Sequence, residues 1–194
     1  MEQYLDAKVK RFVQRRLFSR IDKAKTILGL AGTHPEEYMK ILPYHKQVIL
    51  VDYNPVNPSV RRNSLVREFD LITSQPANHN PITFVDCDFC KSVVTCGDDF
   101  TYIYNKMKKS AIHNKYIAFT FSLRNVGLER TLEFLSQFMN IPKCYSAPSL
   151  HICELKSRQF VKQFLSTDES TTTRLPLYMY RDSGACMISG LIKL

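Results

Sequence analysis

Thr26-Ile27-Leu28-Gly29-Leu30-Ala31-Gly32, then Thr33-His34-Pro35-Glu36, then Gln47-Val48-Ile49-Leu50-Val51-Asp52 decide what kind of molecule this is. The first apolar run is short and uncharged, as a strand buried on both faces of a parallel sheet is. Its two glycines let the backbone turn tightly and approach a ligand with no Cβ in the way. Thr33 and Glu36 have capping-box spacing, which predicts a helix immediately after the turn. The second run delivers Asp52 twenty residues after Gly32, where a carboxylate can bind both hydroxyls of a ribose. Strand, glycine turn, helix, strand and acid together point to a pocket for a nucleoside-containing cofactor.

Charge narrows the choice of cofactor. A dinucleotide places its pyrophosphate on bare amides at the N-terminus of the first helix, and here that helix opens with Pro35, Glu36 and Glu37. Proline removes an amide and two carboxylates repel phosphate. S-adenosylmethionine has no phosphate and presents an ammonium and a sulfonium that tolerate acidic neighbours, so the methyl donor fits better. The third glycine of the dinucleotide fingerprint is also missing. The competing interpretation is a glycine turn in a doubly wound sheet with no ligand at all.

The chain has 194 residues, 44% of them hydrophobic, enough to bury a sizeable core in one domain. No run of eighteen uncharged apolar residues occurs and the first residues lack a signal peptide's apolar segment. A cytoplasmic protein with no membrane span and six reduced cysteines is therefore expected. A formal charge of +9 attracts polyanions. Residues 1–25 hold eight of the 27 basic side chains. There Leu5, Val9, Phe12, Val13, Leu17 and Ile21 recur at helical spacing, with Lys8, Lys10, Arg11, Arg15, Arg16 and Arg20 on the remaining faces. Residues 1–24 thus read as a basic amphipathic helix packing on a single domain of residues 25–194. Its charged face is either solvated cover for the core or a contact to nucleic-acid phosphates, a membrane surface or a partner helix.

Strands and helices then alternate, which predicts a parallel sheet covered on both faces. A turn-rich loop at 53–58 leads to a helix expected from Ser59 to Ser74, carrying Arg61, Arg62 and Arg67. Ile82-Thr83-Phe84-Val85 reads as the third strand, ending in Asp86-Cys87-Asp88-Phe89; a helix follows from Phe100 to His113 with Lys106, Lys108 and Lys109 exposed. Tyr116 to Phe121 is the fourth strand. Gly127 opens a helix whose Leu128, Leu132, Leu135 and Met139 form one apolar stripe. Leu150 to Leu155 alternates as a strand and Ser157 to Leu165 reads as a short helix. Leu177 to Arg181 and Ala185 to Leu194, joined through Asp182-Ser183-Gly184, read as an antiparallel hairpin.

A leading helix, five strand and helix units and a closing hairpin resemble the class I S-adenosylmethionine-dependent methyltransferase fold over essentially the whole chain. The resemblance implies a doubly wound, mostly parallel α/β sheet of seven strands, ordered 3-2-1-4-5-7-6, with helices on both faces and a C-terminal antiparallel hairpin. It implies that Gly29, Leu30, Ala31 and Gly32 contact the methionine moiety of S-adenosylmethionine, that Asp52 closes the second strand on the ribose, and that Tyr53 packs on adenine. Asp88 or Asp86 would accept from the adenine amino group, with Phe89 covering the ring. The mouth of the next strand, Ser122, Leu123, Arg124 and Asn125, would face the transferred methyl: Ser122 and Asn125 orienting the acceptor and Arg124 gripping its phosphate or carboxylate.

The first motif lacks the family's usual acid before the glycines. The signature of DNA exocyclic-amine methylation and the Pro-Cys pair of cytosine C5 enzymes are absent. Cys87 and Cys90 have the spacing of a zinc knuckle, but no matched second pair exists and the histidines are scattered, so no metal is assigned. No nucleophile elbow or phosphate-cradling Gly-Lys-Ser loop is present, which argues against hydrolases and nucleotide triphosphatases. Two functions from different classes remain. One is a methyltransferase acting on RNA or another nucleic acid held through Arg11, Arg15, Arg16, Arg61, Arg62 and Lys108. The other is a catalytically inactive protein of the same fold that binds nucleic acid or a protein partner.

Overall fold

Short β-branched and aromatic runs form the centre of one mixed sheet, and each polar interval between them returns the chain to the same edge. The computed structural model describes residues 8–21, 23–30, 32, 34–75, 81–139, 141, 151–155, 159–164, 177–182 and 185–194, without the side chains of 8, 151–155, 159–164 and 182. In chain order the elements are α1 (Lys8–Phe18), β1 (Ala24–Leu30), α2 (Pro35–Met39), β2 (His45–Asp52), β3 (Arg61–Arg62), α3 (Leu65–Thr73), β4 (Ile82–Asp88) and α4 (Val93–Lys109). Then come β5 (Tyr116–Ser122), α5 (Gly127–Leu135), β6 (His151–Leu155), β7 (Gln159–Phe164), β8 (Leu177–Asp182) and β9 (Ala185–Lys193).

The sheet runs β3-β2-β1-β4-β5-β9-β8-β7-β6. Its first seven places are the expected 3-2-1-4-5-7-6 order. The strands from β3 to β5 pair in parallel, and β9 returns antiparallel between β5 and β8. The expected hairpin is β8 with β9, paired from Leu177↔Gly190 to Asp182↔Ala185; its turn residues Ser183 and Gly184 lie outside the described residues. Two further strands, β7 and β6, extend the antiparallel end. Where a helix was expected over Ser157 to Leu165, the described residues 159–164 form β7. The open edge of β8 offers unpaired amides and carbonyls that a neighbouring segment satisfies by pairing.

Helix boundaries also differ: α1 ends at Phe18, short of the expected residue 24, and residues 1–7 lie outside the described residues. Arg61 and Arg62, expected inside a helix, form β3, and α3 starts after Ser64, whose hydroxyl accepts from the Arg67 amide at 3.1 Å. Helix α4 starts at Val93 rather than Phe100. Gly97 lies within it because Phe134 of α5 packs where a Cβ would stand, 3.1 Å away. Helix α5 ends at Leu135; its Leu132 and Leu135 are buried, while Leu128 and Met139 pack partly buried against the same core.

Each face of the sheet has its own core. Helices α3, α4 and α5 bury Phe69, Phe100, Leu132 and Leu135 against Val85, Phe119 and Phe121. Helix α1 buries Val9, Val13, Leu17 and Phe18 on the other face, against Phe84, Tyr178, Tyr180 and Leu191, with Tyr38 of α2 beside them. Its apolar stripe therefore covers the core, while Arg15, Arg16 and Arg20 stay exposed. Among the described residues no helix is long and apolar enough to cross a membrane.

Candidate functional site

The carboxyl ends of β1, β2, β4 and β5 meet along one edge. After β1 the chain turns at Gly32, whose φ of +61° favours glycine, and a Cβ built there meets nothing within 4 Å. Helix α2 starts at Pro35 with His34 at the N-cap position and no side-chain cap bond, one residue later than the capping-box spacing implies. Ala31 and Thr33 lie outside the described residues. Asp52 ends β2 half-buried; its Oδ1 accepts from the Asn54 amide at 2.8 Å, an Asx turn that aims the carboxylate. Tyr53 is 60% exposed, and the Lys91 ammonium from the loop after β4 lies 6.0 Å from its ring centre.

Beside this opening lies a buried polar cluster. Alternation along β4 sends Val85 and Cys87 to the α4 face and Phe84, Asp86 and Asp88 to the α1 face. The Tyr38 hydroxyl donates to Asp86 Oδ2 at 2.7 Å. On Asp88, Lys10 Nζ lies 2.5 Å and Gln14 Nε2 3.3 Å from Oδ2, and the Cys90 thiol donates to Oδ1 at 3.1 Å. Asp86 and Asp88 are 1% and 9% exposed. Burial, with the Asp88 charge two residues away, pushes the Asp86 carboxyl up to about 7, although the Tyr38 hydrogen bond and the Lys10 and Arg11 cations oppose this. Burial pulls the Lys10 ammonium down, yet Asp88, Cys90 and Tyr180 outweigh it, so Lys10 titrates well above its ordinary value and stays charged. Arg11 lies over the Tyr38 ring at 5.4 Å and reaches the His34 carbonyl at 3.5 Å. Its Nε is buried with no acceptor among the described residues.

After β5, Ser122 is buried and its hydroxyl accepts from the Arg124 amide at 3.3 Å, while Arg124 and Asn125 are exposed. Cys90 and Asn125 have φ of 52° and 64°, so the loops after β4 and β5 both hold a residue in the left-handed region. Such backbone costs about 1–3 kcal/mol per residue and concentrates at functional edges.

Several expected placements change. The strand taken as third, 82–88, occupies the fourth place, between β1 and β5, because the two-residue β3 takes the outer position. Asp86 and Asp88 therefore stand at the centre of the sheet, Asp86 in register with Gly29, rather than beyond β2 where the adenine-binding acid was expected. Phe89, expected to cover the adenine ring, stacks on Phe121 at 6.3 Å and packs partly buried against the α4-face core. Ser122 ends the fifth strand rather than the fourth, and Arg124 and Asn125 follow it in the loop. Gly29 is explained from within, since a Cβ there would stand 2.6 Å from the Tyr38 hydroxyl. Leu30 is half-buried against the α4-face core.

The basic residues do not form one surface. Arg11 is drawn inward, and Arg61 pairs with the buried carboxylate of Glu68. Arg62 reaches Asn54 at 3.5 Å near the mouth. Lys108 closes α4 at the opposite edge. The two cysteines of the knuckle spacing part: Cys87 is buried in the α4-face core and Cys90 reaches Asp88 and Lys10. Among the described residues no three His, Cys, Asp or Glu side chains are grouped to hold a metal. Sequence patterning missed Lys10, Gln14, Tyr38 and Lys91. The signal for two of them was Lys10 and Gln14, four apart, polar residues on the inner side of a helix otherwise packed through valine and leucine.

With the strands in these places, the topology identifies the fold. The strand order is that of class I methyltransferases. No protein-family model matches the sequence, and no curated protein matches it. Among solved structures this chain is similar to the N-methyltransferase NodS from Bradyrhizobium japonicum WM9, at a TM-score of 0.49 and 10% identity over 96% of this chain and 94% of that chain. It is also similar to a precorrin 8w decarboxylase from Methanobacterium thermoautotrophicum, at 0.47 and 13% over 97% and 91%. A third similar structure is an O-methyltransferase from Bacillus cereus in complex with SAH, at 0.45 and 10% over 97% and 82%. Likeness at these scores adds nothing to the strand order, which carries the fold.

Proposed function

We propose that this protein is an S-adenosylmethionine-dependent methyltransferase whose acceptor is a nucleic acid, RNA foremost. The observation that carries the cofactor is the open space at Gly32 on the same sheet edge as the Asp52 carboxylate. When bound, the donor supplies a methyl group on a sulfonium, and displacement there depends on alignment more than on a dedicated acid or base. Asp52 would accept from the ribose hydroxyls and Tyr53 would cover the adenine. The buried Arg11 Nε, next to the start of α2, would donate to the methionine carboxylate. Ser122 and Asn125 would orient the acceptor, and the exposed Arg124 would hold its phosphate. What supports a nucleic acid is the +9 charge with Arg15, Arg16, Arg62 and Lys108 exposed; an acidic protein partner is the other taker for that charge.

A second interpretation, the fold kept without the donor, is favoured by the Tyr38 hydroxyl filling the space beside Gly29 and by Lys10 and Gln14 on Asp88. Calorimetric titration with S-adenosylmethionine and S-adenosylhomocysteine separates the two. Binding to the native protein that weakens at least about tenfold in Asp52→Ala supports the enzyme, since a carboxylate on a diol contributes about 1.4 kcal/mol or more. No binding of either ligand to folded native protein favours the second. Transfer of labelled methyl to RNA, rather than to protein or small molecules, tests the acceptor.

A further inference from the structure

Six exposed cations lie at the edge of the sheet opposite the mouth. The parallel strands start there, β9 ends there, and helices α1 and α4 both run their C-termini onto it. Arg20 follows α1, Lys25 and Lys46 open β1 and β2, Lys108 and Lys109 close α4, and Lys193 ends β9; all six are exposed. Register sets the three strand lysines within two residues of one line: Lys25 and Lys46 follow the Ala24–His45 pair, and Lys193, through Tyr116 and Phe84, is level with Ile27. Ala24 pairs with His45 and Tyr116 with Lys193, so the row crosses β2, β1, β4, β5 and β9. That is four interstrand steps, about 19 Å at roughly 4.8 Å each, the axial length of five or six stacked nucleotides at about 3.4 Å per phosphate.

Two other features fit a polyanion. Tyr44, on the loop entering β2, is 71% exposed, although its own carbonyl is tied to the Ala24 amide at 2.8 Å, so the ring stands on fixed backbone at the β2 end of the row. Among the described residues, helices α3 and α5 bring two carboxylates toward this edge, Asp70 and the exposed Glu133, against the six cations. Asp70, on the last turn of α3, is engaged by the Tyr102 hydroxyl at 2.7 Å, and Asp22 lies outside the described residues. Lys115 belongs to the same edge but is buried, its ammonium bonded to the Met107 and Ser110 carbonyls at 2.5 and 2.7 Å. It fastens the end of α4 and is not available to a ligand.

We propose that this edge is a binding track for single-stranded nucleic acid, with Tyr44 stacking on a base and the lysines of β1, β2, α4 and β9 contacting successive phosphates. It rests on the nucleic-acid part of the proposed function and not on methyl transfer. The track lies a full strand length from Asp52 and Asp88, so it holds the polymer rather than the reacting nucleotide. Stacking on an exposed ring with phosphate contacts alongside binds single strands with little sequence preference.

The test is fluorescence anisotropy of a labelled oligouridine over a range of salt, which needs no donor. The triple variant Lys25→Glu, Lys46→Glu, Lys193→Glu alters only exposed side chains. It should lose more than tenfold in affinity at 0.1 M salt and flatten the log affinity against log salt slope by about 2, the expectation for three lost phosphate contacts on a single strand. Tyr44→Ala should lose about fivefold or more with the slope unchanged, because stacking releases no counterions. Equal affinity and slope in the triple variant would falsify the track. Failure of the native protein to bind the oligomer, or lysine-dependent binding to phosphatidylserine vesicles in its place, overturns it as well. Titration of the triple variant with S-adenosylhomocysteine reads the other edge, so loss at one edge is separable from loss at the other.

Discussion

The two faces of this sheet are covered by amphipathic helices of the same kind, yet what they cover is opposite in character. Under α4 and α5 there is hydrocarbon: the Phe100 ring lies 5.1 to 6.0 Å from those of Phe119, Phe121, Phe134 and Phe138. Under α1 the core begins the same way, with Phe18 edge-on to Phe84 at 5.1 Å. One turn closer to the mouth it gives way to Asp86, Asp88, Tyr38, Gln14 and Lys10. A buried ion pair contributes little net stability compared with apolar residues of the same volume. The phenylalanine face therefore holds the fold, and the α1 face gives up stability to keep carboxylates beside the mouth.

If that division is right, the largest loss comes from the apolar face. Phe100→Ala should cost about 4 kcal/mol in urea unfolding, as truncation of a fully enclosed aromatic does, while S-adenosylhomocysteine affinity of the folded fraction stays unchanged. A loss below about 1 kcal/mol would mean the ring cluster is not what holds α4 and α5 to the sheet.

The α1 face should show itself through pH. Asp86 titrates near 7 when folded and near its ordinary 3.8 when unfolded, so between those values the native state holds a proton that the unfolded chain has released. Its contribution to stability is fully present below about pH 4 and is lost as pH rises through about 7, a decline of about 4 kcal/mol. Asp86→Asn keeps an acceptor for Tyr38 and should flatten that part of the profile. An unchanged slope in the variant would assign the proton elsewhere.

Lys10→Met should destabilise by about 2 kcal/mol. That is less than the roughly 3–5 kcal/mol of a fully enclosed pair, because a fifth of the Lys10 side chain remains exposed. Asp88→Asn in the same background should restore part of the loss. If the two changes simply add, Lys10 is not the partner that makes Asp88 tolerable.

Legibility in the sequence followed the same division. Apolar periodicity found β1, β2, β4, β5, β6, β8, β9 and the α1 stripe, because burial leaves a pattern that depends on few other residues, but it took the six residues of β7 for part of a helix. It failed at Arg61–Arg62, where two charged residues become a strand only because the open edge of β2 accepts them, and that failure shifted the count of strands carrying Asp86 and Asp88. It failed again at α4, which starts at Val93 rather than Phe100 and holds Gly97 against Phe134 of a later helix. Within the candidate site, Gly32 and Asp52 were legible from local spacing. Lys10 and Tyr38 were not, since their roles depend on partners 78 and 48 residues away in sequence.

Gly29 is where local spacing and tertiary contact give different explanations of one residue, and a double-mutant cycle separates them. If the glycine exists to admit a ligand, alanine there should weaken S-adenosylhomocysteine binding and leave stability nearly intact. In the structure the new Cβ would stand 2.6 Å from the Tyr38 hydroxyl and 3.4 Å from its Cζ, so Gly29→Ala should displace the ring from Asp86 and cost about 1–2 kcal/mol. Tyr38→Phe alone removes the donor on a buried carboxylate, at about 1 kcal/mol. With the hydroxyl already gone the Cβ meets only the ring edge at an ordinary contact distance, so the double variant should lose clearly less than the sum. Additivity within about 0.5 kcal/mol would mean that Tyr38 is not what requires the glycine, and would return the position to the ligand.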